Sequence, residues 1–141
     1  MLIIQQFLRL YKSILLMVFC IVNFHVIAQK SIISEADLKF ENEAFFTAID
    51  LYKKGEVRIK DVKEKARINF RIAECYKLAV EPEQAQTYYE RAIMLRYQNN
   101  DPSIYLSLAD VLKEQGSYDL AVENINQYLE LIPEDQVAED F

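Results

Sequence analysis

The sequence predicts an all-α fold of three stacked helical pairs, preceded by an N-terminal signal helix. The 141 residues include only two glycines and three prolines, too few for the many turns of a sheet-rich protein. Small and aromatic residues also recur every 36 to 37 positions along most of the chain. Within each period the apolar residues follow the i, i+3, i+4 spacing of a helix, so each period is predicted to be two helices.

The first 28 residues have the pattern of an export signal. Arg9 and Lys12 supply positive charge, and residues 13–27 are almost wholly apolar. This apolar run is shorter than the roughly 20 residues that span a membrane. We therefore expect cleavage after Ala28 and export to the periplasm or outer membrane. The alternative is that the apolar helix is retained as a membrane anchor.

Removal of residues 1–28 would leave a chain with no histidine and one cysteine, Cys75. It would carry 14 basic and 22 acidic residues, a balance that opposes nucleic-acid binding. Neither a metal site, a glycine-rich phosphate loop nor a nucleophile with its base can be assembled from these residues. We therefore expect a non-enzyme without a cofactor or small-molecule substrate, in which Cys75 packs as a small buried hydrophobe.

Two series of alanines define the units. They are Ala36, Ala73 and Ala109 in the first series and Ala48, Ala85 and Ala121 in the second. Because a methyl side chain lets two helices approach at the short end of the usual range of about 8 to 10 Å, the alanines are expected where paired helices pack. A third series consists of Tyr52, Tyr89 and Ile125. Its two tyrosines are expected to fill the space between one pair and the next.

The period places the units at about residues 33–58, 62–98 and 101–133, with 134–141 as a short acidic tail or partial cap. The first unit is predicted to contain helices at 34–42 and 44–54. The other helices are predicted at 62–79, 82–95, 102–115 and 118–131.

Local signals support the helix ends in chain order. Ser34 and Asp37 can cap the first helix. Asp61 has Glu64 three residues later, the pattern of a capping box at the start of the third. Asp101 is followed by proline, which suits the start of the fifth. Turns inside the units are expected at residues 42–43, 81–82 and 116–117.

Residues 105–112, YLSLADVL, are followed at repeat spacing by Gly116, Ala121, Tyr128 and Pro133. This third unit resembles the tetratricopeptide repeat almost position for position, and the second keeps its alanines and tyrosines. The resemblance implies a right-handed superhelix. In that fold the first helix of each pair lines a concave groove that holds a partner peptide or helix.

By that resemblance, the groove is lined by first-helix residues from all three units. The candidate partner-binding residues are Asp37, Phe40, Arg67, Phe70, Glu74, Lys77, Ser103, Leu106, Asp110 and Lys113. Asp37, Glu74 and Asp110 occupy one equivalent position, so stacking would align three carboxylates. The alternative interpretation is that Glu74 with Lys77, and Asp110 with Lys113, are surface ion pairs worth about 0.2 to 0.5 kcal/mol each.

An export signal followed directly by units such as ADLKF (36–40) and RIAECY (71–76) also resembles the N-terminal module of OmpA-type envelope proteins in bacteria with type IX secretion. This implies a scaffold that binds another envelope protein or peptide, in secretion or outer-membrane assembly. A membrane-tethered assembly factor is the alternative. Because the acidic tail is short, the apolar edge of the third unit is expected to be incompletely covered, which favours self-association or docking of a partner there.

Overall fold

The computed structural model describes residues 11–17 and 32–132, and within these ranges the only regular secondary structure is helical. Residues 11–17 form a short, exposed helical segment. Residues 32–41 form helix α1. The following helices are α2 (Phe45–Glu56), α3 (Val62–Leu78), α4 (Pro82–Met94), α5 (Ile104–Glu114) and α6 (Tyr118–Leu131), with a 3-10 turn at Tyr97–Asn99. The predicted all-α fold is confirmed.

The helices stack in chain order as three pairs. Helix α3 packs against both α2 and α4, and α5 packs against both α4 and α6. This is the arrangement of an α-α superhelix, in which each pair buries its apolar face against its neighbours. Most of the predicted signal, residues 1–10 and 18–28, lies outside the described residues, as does the tail 134–141. No helix within the described ranges has the length and apolar character needed to cross a membrane.

The helix starts follow the predicted caps only in part. Oδ1 of Asp61 accepts a hydrogen bond of 2.8 Å from the backbone N–H of Lys63, so Asp61 caps α3. Its expected capping-box partner Glu64 instead binds Arg67. Ser34 and Asp37 lie inside α1 and do not cap it, since helical backbone extends back to residue 32.

Helix α5 begins at Ile104, two residues later than predicted. Oδ1 of Asp101 accepts the backbone N–H of Ser103 at 3.0 Å, which is a cap-like contact. The N–H of Tyr105 then donates to the carbonyl of Pro102 at 3.1 Å, so the first turn is the tighter i→i+3 form.

The three turns within the pairs share one backbone conformation. Glu43, Val80 and Gly116 have φ of 58°, 60° and 77°, in the left-handed region. The residue after each donates its N–H to the carbonyl five positions earlier, at 2.9, 2.9 and 2.8 Å, as in a Schellman motif. The second turn precedes the expected 81–82 position, because Pro82 is the first residue of α4, where its missing N–H is tolerated.

The alanines and tyrosines of the repeat lie in the core. Ala36, Ala48, Ala73 and Ala85 have no exposed surface, and Ala109 and Ala121 are 4% and 6% exposed. Tyr52 and Tyr89 are fully buried, the first between α1, α2 and α3 and the second among residues of α3, α4 and α5. Cys75 is also fully buried, as expected, and this burial raises the pKa of its thiol to about 12.

Candidate partner-binding face

The first helices of the three pairs are joined by ion pairs between their side chains. Nη1 of Arg67 on α3 lies 3.4 Å from Oδ1 of Asp37 on α1. Nζ of Lys77, nearly three turns further along α3, lies 3.4 Å from Oδ2 of Asp110 on α5. These contacts place α1, α3 and α5 side by side, and we call the surface that they share the first-helix face. The candidate residues on α1, α3 and α5 therefore lie on adjacent helices.

Two of the three aligned carboxylates bind buried tyrosines. Oη of Tyr52 donates to Oδ1 of Asp37 at 2.5 Å, and Oη of Tyr89 donates to Oε1 of Glu74. The pKa of each phenol is raised, mainly by burial and further by the adjacent carboxylate. Asp37 and Glu74 therefore stabilise the fold, and their oxygens are not a row of free acids.

The third carboxylate has a different environment. The position equivalent to Tyr52 and Tyr89 is Ile125, which has no hydroxyl. Asp110 instead accepts hydrogen bonds from Lys77 at 3.4 Å and Lys113 at 3.1 Å. Partial burial would raise the pKa of Asp110, but these two ammonium groups outweigh it and lower the pKa.

The alternative interpretation predicts two surface ion pairs, and the structure contains one of these two pairs. Lys113 pairs with Asp110 three positions before it. The expected pair between Glu74 and Lys77 is wrong, because Lys77 reaches across to Asp110 in the next unit. Glu74 is held by the hydroxyl of Tyr89 instead. The lysine thus links two units where the sequence predicted a link within one helix.

The apolar members of the candidate set also contribute to packing. The ring of Phe70 stacks on Tyr97, with centroids 4.5 Å apart and planes at 11°. Phe40 packs edge to face on Phe45 at 6.0 Å, and the guanidinium of Arg71 lies 4.7 Å from the centre of the Phe40 ring. The rings in all three interactions are half-buried or buried. These side chains therefore stabilise the packing of the first-helix face and also contribute to its surface.

The two other candidates outside the ion pairs are Leu106 and Ser103. Leu106 is half-buried against the core of the second and third units. Ser103 precedes α5, and its N–H is bound to Asp101. Sequence reasoning missed Arg71 and Tyr97. Arg71 sits one residue beyond Phe70 and could have been found from its place on α3, whereas Tyr97 lies in a 3-10 turn that follows no helical period.

A cleft of about 560 Å³ opens between the start of α3 and the segment after α4. It is lined by Asp61, Val62, Lys63, Glu64, Ala66, Arg67, Leu95, Arg96, Tyr97, Asn99 and Asn100. Arg67 joins this cleft to the first-helix face. Its guanidinium is bound at 3.0 Å by Glu64, the main cause of its raised pKa, and more weakly by Asp37. Charged, amide and apolar groups together can bind peptide backbone and side chains.

Within the part of the chain that the structure describes, no group of three His, Cys, Asp or Glu side chains could hold a metal ion. Residues 66–99 and 102–135 match the sequence profile of the tetratricopeptide repeat. These segments are tetratricopeptide repeats. They correspond to the predicted second and third units, so the resemblance stated from the sequence is confirmed for both.

A solved structure supports the same fold. It was reported in a functional characterization of PilF from Pseudomonas aeruginosa, and it aligns with this chain at a TM-score of 0.60 and 19% sequence identity. The alignment covers 75% of this chain and 46% of the PilF chain. At this identity the similarity shows a shared arrangement of helices. No curated protein matches this chain in sequence.

Proposed function

We propose that this protein is a non-catalytic scaffold of the bacterial cell envelope whose first-helix face binds a peptide or helix of another envelope protein. Tetratricopeptide repeats support a protein-binding role. The observation that carries the proposal is the continuity of the face. Ion pairs join α1 to α3 and α3 to α5, and the side chains of Asp110 and Lys113 remain 53% and 63% exposed.

The face combines several kinds of contact. Half-buried Phe40, Phe70 and Leu106 offer apolar surface beside the exposed charges. Because Arg67 pairs with Asp37, and Lys77 and Lys113 pair with Asp110, two of the three aligned carboxylates have cations beside them that reduce their repulsion of an acidic partner. The face therefore suits a partner segment that has both apolar side chains and charges of either sign.

The envelope location rests on the pattern of residues 1–28 and on the resemblance to the N-terminal module of OmpA-type proteins of bacteria with type IX secretion. A role in secretion or outer-membrane assembly follows from that resemblance. Intact-mass measurement of the protein recovered from periplasmic and membrane fractions tests the location. Loss of residues 1–28 supports the exported scaffold, whereas a full-length mass in the membrane fraction supports a tethered assembly factor.

Site-specific photocrosslinking tests partner binding at the face. A photoreactive residue at Lys113 is compared with one at Lys54, an exposed lysine on α2. The proposal predicts a discrete adduct in cells from position 113 and none from position 54. Phe40→Ala is expected to reduce this adduct while the far-ultraviolet circular dichroism stays helical. Adducts of equal yield at both positions, or none at position 113, would contradict the proposal.

A further inference from the structure

Helix α6 is the second helix of its pair. In the other two pairs, one face of the second helix is covered by the first helix of the next pair. At one repeat position, Tyr52 on α2 and Tyr89 on α4 are fully buried, and each lies in a core cluster with residues of the following first helix. The equivalent residue on α6, Ile125, is only half-buried. The third pair therefore has the apolar surface that receives a further helix, without such a helix among the described residues.

This surface continues along α6 as a stripe. Tyr118, Val122, Ile125 and Leu129 are spaced i, i+4, i+7 and i+11, which places them on one side of the helix. We call these four residues the α6 stripe. Tyr118 and Val122 are 65% and 57% exposed, whereas Ile125 and Leu129 are partly packed on the core. The stripe thus runs from the buried seam of the third pair out to the surface.

A row of acidic residues runs beside the stripe. Asp119, Glu123 and Glu130 follow the same spacing one residue later, with Asn126 between them, and all four are exposed. We call Asp119, Glu123 and Glu130 the acidic row. Helix α6 contains no basic residue, and residues 101–141 hold one basic and ten acidic residues. One edge of the α6 stripe is therefore negatively charged along its length.

We propose that the α6 stripe and the acidic row bind an amphipathic helix of another protein, whose apolar face is flanked by lysines or arginines. The apolar face would cover the stripe as α5 covers α4, and the basic edge would lie along the acidic row. Charge complementarity of this kind fixes the orientation of a partner and speeds its association. The site uses α6 and does not depend on the first-helix face, so either proposal can fail without the other.

A second copy of the chain fits this surface poorly. In a pair of α6 helices from two copies, neither helix offers a basic residue to the acidic row of the other, and antiparallel pairing would bring the two rows together, which disfavours the pair. Head-to-tail stacking would require α1 to offer an apolar outer face like that of α3. The residues of α1 equivalent to buried Ile72 and Cys75 are Glu35 and Leu38, so a charged side chain stands where α3 buries an isoleucine. Residues 133–141 carry four acidic and no basic residues, so this segment also lacks the positive charge that would complement the acidic row.

Three labelled synthetic peptides test the proposal with the full chain. The first is a helical peptide with leucines on one face and lysines elsewhere, the second replaces each lysine with glutamate, and the third scrambles the first. Fluorescence anisotropy should show that the lysine peptide binds about tenfold more tightly than either of the others. Added salt should weaken its binding, because the acidic row is exposed.

Val122→Asp separates docking on the stripe from general attraction to an acidic protein. The variant adds a negative charge, so binding by charge alone would become tighter. Docking on the stripe predicts about tenfold weaker binding instead. Val57→Asp makes the same change at a residue that is 83% exposed after α2, and it should leave the affinity unchanged. Reversal of the row with Asp119→Lys and Glu123→Lys should shift the preference to the glutamate peptide.

Several results would overturn the proposal. One is equal affinity of the protein for the lysine peptide and the scrambled peptide. Another is an affinity of Val122→Asp for the lysine peptide that is unchanged or higher. If Phe40→Ala weakens binding of the lysine peptide as much as Val122→Asp does, the peptide binds at the first-helix face instead. A light-scattering mass of two chains that Val122→Asp returns to one would identify a second copy as the occupant. Circular dichroism of each variant confirms that the helices are retained.

Discussion

At the scale of single residues, the carboxylates of the first helices are part of the fold. Asp37 and Glu74 each accept the hydroxyl of a tyrosine that lies 15 positions later on the paired helix. The repeat period correctly predicted that these acids occupy equivalent positions. It could not predict their partners, because the direction of a hydroxyl on a neighbouring helix depends on how closely the two helices pack. Alanine at positions 36, 48, 73 and 85 permits that approach.

Tyr52→Phe is expected to lower stability by about 1 to 3 kcal/mol at neutral pH, because it removes a hydrogen bond to a carboxylate from the core. The pKa of Tyr52 is raised in the folded state above the unfolded value of 10.0. Its contribution is therefore fully present below pH 10 and is lost as the pH rises further, by about 1.4 kcal/mol per pH unit.

Urea unfolding between pH 8 and about pH 11 checks this prediction. The stability difference between the native protein and Tyr52→Phe should shrink above pH 10. Tyr118→Phe, at a position that is 65% exposed, is the control and should leave the stability at pH 8 unchanged. A parallel decline of native protein and Tyr52→Phe would contradict the raised pKa.

Lys53 joins three helices through its ammonium group. Nζ donates to Oη of Tyr76 at 2.8 Å and lies 5.2 Å and 5.4 Å from the ring centres of Tyr76 and Tyr88. Lys53→Met keeps an unbranched stem but removes the cation, so a loss of about 0.5 to 2 kcal/mol is expected. Lys54→Met, on exposed surface, should be nearly neutral. Equal thermal midpoints of the two variants would show that the cation contributes little.

At the scale of elements, the helices were easier to predict than the turns. The apolar period located α2, α3, α4 and α6 to within two residues, and the Asp61 cap marked the start of α3, because both signals are local. The left-handed turn residue is glycine only at Gly116, whereas Glu43 and Val80 adopt the same conformation without the usual sequence signal. Tertiary packing of the pairs therefore imposes a backbone conformation that the side chain of Val80 opposes.

Val80→Gly is expected to stabilise the protein by about 1 kcal/mol. Valine is β-branched and costs energy at φ of 60°, while glycine adopts this conformation freely. The side chain of Val80 is 78% exposed, so its removal loses little buried surface. Val57→Gly is the matched control, because Val57 is 83% exposed at φ of −52°. Urea midpoints should rise for Val80→Gly and fall for Val57→Gly; a fall for both would mean that the turn is not strained.

At the scale of the whole molecule, the pairs depend on their neighbours for burial. The sequence predicted this stacking from the alanine series, whereas the role of the predicted first-helix residues in partner binding stays a prediction. It did not predict the links between units, such as Lys77 with Asp110, because helical spacing within one segment reports only neighbours on the same helix. Tyr97 was missed for a related reason, since it joins the core from a connecting turn.

Ala85→Leu tests the interdependence of the pairs. Ala85 has no exposed surface and packs in the same core cluster as Ala73, so the larger side chain is expected to cost about 1 to 3 kcal/mol. Because α3 and α4 lie between the other pairs, unfolding followed by circular dichroism should remain one transition at a lower urea concentration. Gln84→Leu, at the exposed neighbouring position, should leave the midpoint nearly unchanged. A second, separate transition in Ala85→Leu would indicate independent units.

Because Cys75 is fully buried, the reactivity of its thiol can be used to measure opening motions of the protein. After loss of residues 1–28 it would be the one thiol in the chain, and it lies beside Tyr52 and Ile72 in the seam between α2 and α3. A thiol reagent can reach it only while that seam is apart. The rate of labelling under native conditions would therefore time the separation of the first pair from the second, without an engineered probe.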